Sequence, residues 1–322
     1  MTHPRTTHPT VSAATGFWLA AATYAALTAF TTIPTPLYAL YQHADHFPTA
    51  MVTVIFSTYA VGVIVALWLF GHVSDWMGRR RIMLAAAGLE IVAALIFIAS
   101  TQIAWLLVAR FVSGFGIGLL SATATAYLRD LRGLTRPTAM GMAATMGGGA
   151  NLGGLGLGPL FGGAMAEWFG HPLVLPYLVA LVVLVLAAVA IGTIPETVAR
   201  PAAPVAWHPQ RVRVPPQHVA MFWAAGVGAF TAFAITGFYG SVAPAFLTEV
   251  VGMNDRLATG KTAFAVFAAA AVSQVVFARL RLQTQLVLGT AAMVVGMTVL
   301  AAGDVWASFP LFLLGGILGG TG

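Results

Sequence analysis

Cysteine is absent from these 322 residues, which excludes a disulfide framework, a thiolate zinc site and a thiol nucleophile. Charge is nearly as scarce. Asp, Glu, Lys and Arg together make up 7% of the chain, against about a quarter in a soluble globular domain, so the polar coat of an ordinary soluble protein cannot be built. Enzyme signatures are missing as well: there is no His-Glu-x-x-His, no Gly-x-Ser-x-Gly and no pair of aspartates inside an apolar run, so no enzyme is expected. Phosphate-cradling glycine loops are also lacking, since Gly260-Lys261-Thr262 has no glycine five residues before it and no Gly-x-Gly-x-x-Gly follows a strand-like run. The net charge of +6 does not point to nucleic acid, because the basic residues sit in short loops between apolar runs, where they orient helices in a bilayer.

What remains is apolar. Hydrophobic residues make up 59% and the mean hydropathy is +0.89. A spanning helix needs about 20 such residues, and ten runs of that kind account for most of the chain. The first run is long and lacks a small-residue cleavage pattern, so no cleaved signal peptide is expected. The fold class predicted is an all-α polytopic membrane protein whose partners are the lipid bilayer and a small-molecule substrate, without nucleic acid, metal or cofactor.

The most informative stretch runs from Gly71 to Arg81, Gly-His-Val-Ser-Asp-Trp-Met-Gly-Arg-Arg-Arg, between two apolar runs. Asp75 and Arg79 are four apart, which on one helical turn places carboxylate and guanidinium together. Gly71 and Gly78 suit close backbone approach or a sharp turn. The helix after it, about 82–99, holds Glu90 near its middle, where a carboxylate costs several kcal/mol unless paired, protonated or wet. The next, about 105–128, holds Arg110 ahead of Gly114, Gly116 and Gly118. That cation needs a carboxylate, carbonyls or water, with Glu90 and Asp75 the nearest acids before it. If Arg110 serves structure alone, an ion pair near the inner mouth is expected. A basic loop from Arg129 to Arg136 then leads to a fifth helix in which Gly154, Gly158 and Gly162 recur every four residues, beside Pro159 and Gly163. Such spacing lines one face for backbone-to-backbone packing, and Pro159 frees a carbonyl one turn earlier.

Gly71, Asp75, Gly78, Arg79, Arg80 and Arg81 resemble the loop between helices 2 and 3 of the major facilitator superfamily, with Trp76 where a basic residue is usual. The Arg110 segment resembles that family's fourth-helix motif, where the arginine is implicated in proton coupling. The glycines and proline of the fifth helix resemble the motif of its proton-coupled exporters, apart from Thr145 where a further glycine is expected. The resemblance implies two helical bundles of six plus four helices: 1–194, a cytoplasmic linker 195–217, and an incomplete 218–322. It implies alternating access, Asp75 and Arg79 as a latch, Arg110 in proton coupling, and a proton gradient as driving force. Glu90, the acid clearly within the bilayer, and Asp75 join Arg110 as proton-coupling candidates by their own placement, although in the family the third helix usually supports the bundle.

Substrate-path candidates are Thr35, Tyr38, Asn151, Tyr239 and Gln274. Pro34 and Pro36 are read either as a frayed end of helix 1 or as a break that presents Thr31, Thr32, Thr35 and Tyr38 to the path. With the amino terminus in the cytoplasm, twelve of the fifteen basic residues fall inside, against Arg256 and Lys261 outside and Arg110 within the membrane, the bias expected of a correct topology. A multi-pass protein of a bacterial inner membrane is expected. Two helices of the family plan are missing at the carboxyl end, so the chain resembles a fragment or one that completes itself with another chain. A non-transporting remnant and an importer of a small metabolite are the alternatives to efflux.

Overall fold

The computed structural model describes residues 11–136, 140–199, 201, 205–210, 214–241, 243–252, 255–278 and 280–322. Arg5, Arg200, Arg211, Arg213 and Arg279, which entered the charge count above, lie outside them. Every regular element among the described residues is helical.

Helix α1 (Ala13–Thr32) opens on Ser12, whose hydroxyl accepts the Thr15 N–H, satisfying one of the donors that a helix start leaves free. From the sequence, the first apolar run reads as one helix from about Gly16 to Leu40. Instead it breaks at Pro34 and Pro36 into a 3-10 turn, Thr35–Leu37, and resumes as α2 (Tyr38–Asp45). Proline removes the donors that would have carried the helix through, so the break is real and is not a frayed end. His46 closes α2 in the left-handed region, φ 52°.

Helix α3 (Thr49–Phe70) leads through a single turn, α4 (Ser74–Met77), to α5 (Arg79–Ala99). Helix α6 (Ile103–Thr135) has 33 residues and so is about 50 Å long, well beyond the roughly 30 Å of a hydrocarbon core. The expected loop from Arg129 to Arg136 is therefore helical as far as Thr135. It stays folded because Leu131 is fully buried and Arg132 lies over the Phe17 ring. At the other end of α6, Asp45 Oδ2 accepts the Ile103 N–H at 2.7 Å.

Helices α7 (Met140–Trp168) and α8 (Leu175–Thr193) complete the first set. After the linker come α9 (Val219–Ser241), the turn α10 (Ala243–Ala245) with a π-helical continuation to Val250, α11 (Arg256–Val276), α12 (Leu282–Val305) and α13 (Phe309–Thr321). From the sequence, the seventh apolar run reads as a helix from about Val219 to Phe246 and the eighth as one from about Thr262 to Ala278. Helix is described to Ser241 and again from Ala243 to Val250, and α11 starts at Arg256, ahead of Thr262, because Asp255 caps it, its Oδ1 accepting the Ala258 N–H at 3.0 Å. Arg256 and Lys261 are thus helical and not in a loop.

Eight helices among the described residues are long and apolar enough to cross a membrane. With the glycine-rich α7 and the 13-residue α13, the expected order of six helices and then four is recovered. Buried apolar side chains gather in two clusters, one from Phe17 to Ile194 and one from Ile235 to Phe312. Helix α7 packs on α1 on one side and on α11 on the other, joining the two sets.

Candidate functional site

Three groups of residues stand out, at the α4 hinge, in the middle of the first bundle and along α7. At the hinge, Gly78 has φ 107°, a conformation open to glycine at little cost. It ends α4 and turns the chain straight into α5. Asp75 and Arg79 therefore do not share a continuous helical turn, yet they meet: Arg79 Nη1 lies 2.6 Å from Asp75 Oδ1. Arg79 Nε also reaches Asp130 Oδ2 at 3.3 Å, and Nη1 donates to Ser74 Oγ at 2.6 Å.

The residue that locks this hinge is one that no local sequence pattern ties to it. Glu196, at the start of the linker just past α8, accepts the backbone N–H groups of Arg79 at 2.9 Å and Arg80 at 3.2 Å. No residue next to α5 caps it by side chain, so a carboxylate distant in sequence supplies the negative charge a helix N-terminus favours. Arg80 returns the arrangement by donating to the carbonyls of Gly192 and Ile194 at the C-terminal end of α8. Thr197 Oγ1 donates to Asp130 Oδ2 at 3.1 Å, and Tyr127 donates to the Pro195 carbonyl at 2.6 Å. A carboxyl on the first residue after a proline at a helix end was the available signal, but nothing local named its partner. Arg81 is exposed and Gly71 half-buried.

Glu90 and Arg110 are both buried, at 0% and 1% exposure. Arg110 donates to the Thr31 carbonyl and lies over the rings of Tyr59 at 4.7 Å and Phe56 at 5.7 Å, geometry suited to a guanidinium plane. Asp75 is not its partner. Arg110 and Asp130 stand 20 residues apart on α6, about 30 Å along the axis, so Arg110 lies far from the hinge, which Asp130 contacts, and makes no ion pair at the inner mouth. Ser113 and Arg110 face the Glu90 carboxyl, whose Oε1 packs where a Cβ on Gly116 would meet it at 2.9 Å. Among the described residues the Glu90 oxygens, Arg110 Nε, Ser113 Oγ and the Tyr38 hydroxyl complete no hydrogen bond.

The glycines of α7 form two seams. Gly154, Gly158 and Gly162 face α1, where an added Cβ would strike the backbone carbonyls of Ala25, Ala29 and Ile33. Gly163 faces the other way, a Cβ there lying 2.5 Å from the Arg256 carbonyl of α11, and Gly156 packs on Phe264 and Phe267. Facing them, Gly260 of α11 packs on the Pro159 carbonyl. At the far ends of this pair, Glu167 approaches Arg256 at 4.0 Å, and Gln274 Oε1 rests on Gly148 beside a cavity of about 590 Å³.

Of the path candidates, Thr35 and Tyr38 are buried at the α1 break, and Tyr38 faces Arg110. Asn151 is half-buried on α7. Tyr239 stands apart from them, fully buried with its hydroxyl donating to the Phe312 carbonyl. The Thr31 and Thr32 hydroxyls donate to carbonyls, Thr28 and Leu155 respectively, and so do not open onto a path.

The profile of the Major Facilitator Superfamily matches residues 15–322. The chain belongs to that family. It is a multi-pass integral membrane protein, and the family and its solved neighbours are transporters, not enzymes. The structure superposes on a bacterial homologue of the human lysosomal transporter Spinster, described as inward-facing and unoccupied, with a TM-score of 0.68 and 15% identity over 96% of this chain and 74% of that one. It also superposes on the human organic anion transporter MFSD10 (TETRAN), TM-score 0.67, 19% identity, covering 95% of this chain and 81% of that one. At these identities the likeness is one of fold.

Local sequence similarity reaches the Arabinose-proton symporter of Bacillus subtilis, 32% over 76 residues, covering 24% of this chain and 16% of the relative. It also reaches Multidrug resistance protein MdtM of Salmonella typhimurium, 29% over 155 residues, covering 46% and 35%. The matched stretches thus span well under two thirds of these curated relatives.

Proposed function

We propose that this protein carries a small solute across the bilayer by alternating access, as a proton-coupled exporter. The observation that carries the reading is the burial of Glu90 and Arg110 inside spanning helices, with Arg110 and Ser113 facing the Glu90 carboxyl and its oxygens completing no hydrogen bond among the described residues. Ionisable groups there are costly and mark ion or proton pathways. In this reading Glu90 takes and releases the coupled proton, and Arg110, held by Thr31 and two aromatic rings, favours its release. The bundles 1–194 and 218–322 rock about the α7–α11 seam, with 195–217 as linker. Asp75, Arg79, Arg80 and Arg81, with Gly71 and Gly78, form the latch on the cytoplasmic side of a bacterial inner membrane. Thr35, Tyr38, Asn151 and Gln274 face the solute, while Tyr239 braces the second bundle. The mostly neutral lining suits an amphipathic or uncharged molecule.

Export draws support from the α7 glycine and proline pattern and from the likeness to MdtM. Import of a small metabolite is the second reading, favoured by the likeness to the Arabinose-proton symporter. Flux driven by an imposed pH gradient, measured for a panel of drugs and sugars in cells and proteoliposomes, separates the two by direction. Asp75→Asn and Arg110→Ala should both transport more slowly than the parent. Parental rates in both would end the latch and coupling roles, and no flux of any solute would leave a non-transporting remnant.

A further inference from the structure

The linker is tied to the hinge a second time. Glu196 holds its start on α5, and residues 205–210 return to the hinge end of α3. There the Gln210 N–H donates to the Trp68 carbonyl at 2.8 Å and the Trp207 indole N–H donates to the Leu69 carbonyl at 3.1 Å. The Trp207 ring packs on Phe70 at 6.2 Å. The His208 imidazole stacks on that of His72, with centroids 4.8 Å apart and planes 9° from parallel. Gln210 Oε1 occupies the place a Cβ on Gly71 would need, so the missing side chain of Gly71 makes room for the segment.

These contacts fall on the last free carbonyls of α3, groups a helix end leaves without internal partners. Yet they are built to be left. Trp207 is 49% exposed, His208 and Gln210 are exposed, and both ring nitrogens of His72 complete no hydrogen bond among the described residues, so nothing but ring contact holds the histidine stack.

Docking also changes the length of the tether. From Val198, the last residue bonded to Glu196, to Pro215 at the edge of the second bundle the chain has 17 residue steps, about 60 Å when extended. From Gln210 it has five, about 17 Å. We propose that residues 205–210 are a releasable strap: docked on Gly71 and His72, they limit how far the two bundles can part at the hinge end, and they must lift for a full transport cycle. The gating role rests on the transport reading above, whereas the docking does not.

Because the chain lacks cysteine, a pair of thiols at 72 and 208 can be read without background. In proteoliposomes, His72→Cys with His208→Cys, closed by a short cleavable thiol cross-linker, should lose at least tenfold of the parental flux and regain it on reduction, with each single variant unaffected by the reagent. Adding Trp207→Ala and Gln210→Ala should cut the cross-linking yield several-fold. Flux that survives cross-linking overturns the gating role, and a pair that labels but does not cross-link overturns the docking itself. Absence of flux before cross-linking sinks the transport reading and the gating role with it, while the cross-linking yield still decides the docking.

Discussion

The Thr32 hydroxyl donates to the Leu155 carbonyl at 2.9 Å, and Leu155 is the residue whose helical partner, four positions on, is Pro159. The proline has no N–H to give. Helix α1 therefore supplies from outside the hydrogen bond that α7 cannot make for itself, next to the seam of Gly154 and Gly158. Thr32→Val should leave that carbonyl unpaired at a cost of about 1–3 kcal/mol, read as a lower unfolding temperature in detergent. Pro159→Ala in the same background should recover most of the loss, a coupling that unrelated sites would not show.

A packed and an open position on α7 predict opposite signs for one substitution. At Gly158 a Cβ meets the Ala29 backbone and Thr32, so Gly158→Ala should destabilise by about 1–3 kcal/mol through overpacking. At Gly153 nothing lies within 4 Å. Gly153→Ala should stabilise by up to about 1 kcal/mol through helix propensity. Denaturation midpoints of the two purified variants give the comparison.

Glu196→Ala strips the N-terminal acceptor from α5 and should lower stability by about 1–2 kcal/mol. Glu196→Gln keeps an acceptor without the charge, so its unfolding temperature should fall between Ala and parent.

Asp75 and Asp130 share Arg79 unequally. Asp75 is 62% exposed by side chain and Asp130 36%, and Asp130 also accepts from Thr197. Asp130→Asn should therefore slow flux and lower stability more than Asp75→Asn, whose exposed pair is worth about 0–1 kcal/mol. Transport rate and melting temperature of the two variants check the order.

Glu90→Gln should abolish flux driven by a pH gradient, by at least tenfold, while solute exchange without a gradient persists. Arg110→Lys keeps the charge but not the plane that lies over Tyr59 and Phe56, and should be impaired in both assays. Equal loss in both assays for Glu90→Gln would place Glu90 in solute binding rather than coupling.

Much of this was legible in the chain because it is local. The break at Pro34 and Pro36 and the four-residue recurrence of Gly154, Gly158 and Gly162 follow from spacing along one or two turns, whereas Asp75 meets Arg79 across the turn at Gly78, near in sequence but not on one helix. Gly156 and Gly163 are seven apart, two helical turns, so the second seam was also written in the period, though hidden among so many glycines. Glu196 was not legible: its bonds to Arg79 and Arg80 cross 117 and 116 residues, and no short-range rule connects them. Asp130 read as a loop residue because charge clusters there, whereas contacts with Arg79 and Thr197 keep that charge on a helix. The position of Arg110, remote from Asp75, follows only once the full length of α6 is known.

The tie between Glu196 and α5 also sets an order on synthesis. While residues 79–135 thread into the lipid, the amides at the start of α5 have no side-chain acceptor from their own neighbourhood. The clasp arrives only when Pro195, Glu196 and Thr197 leave the ribosome, directly after α8. The amino-terminal half can thus be tied as its last helix is delivered, before the second half has emerged.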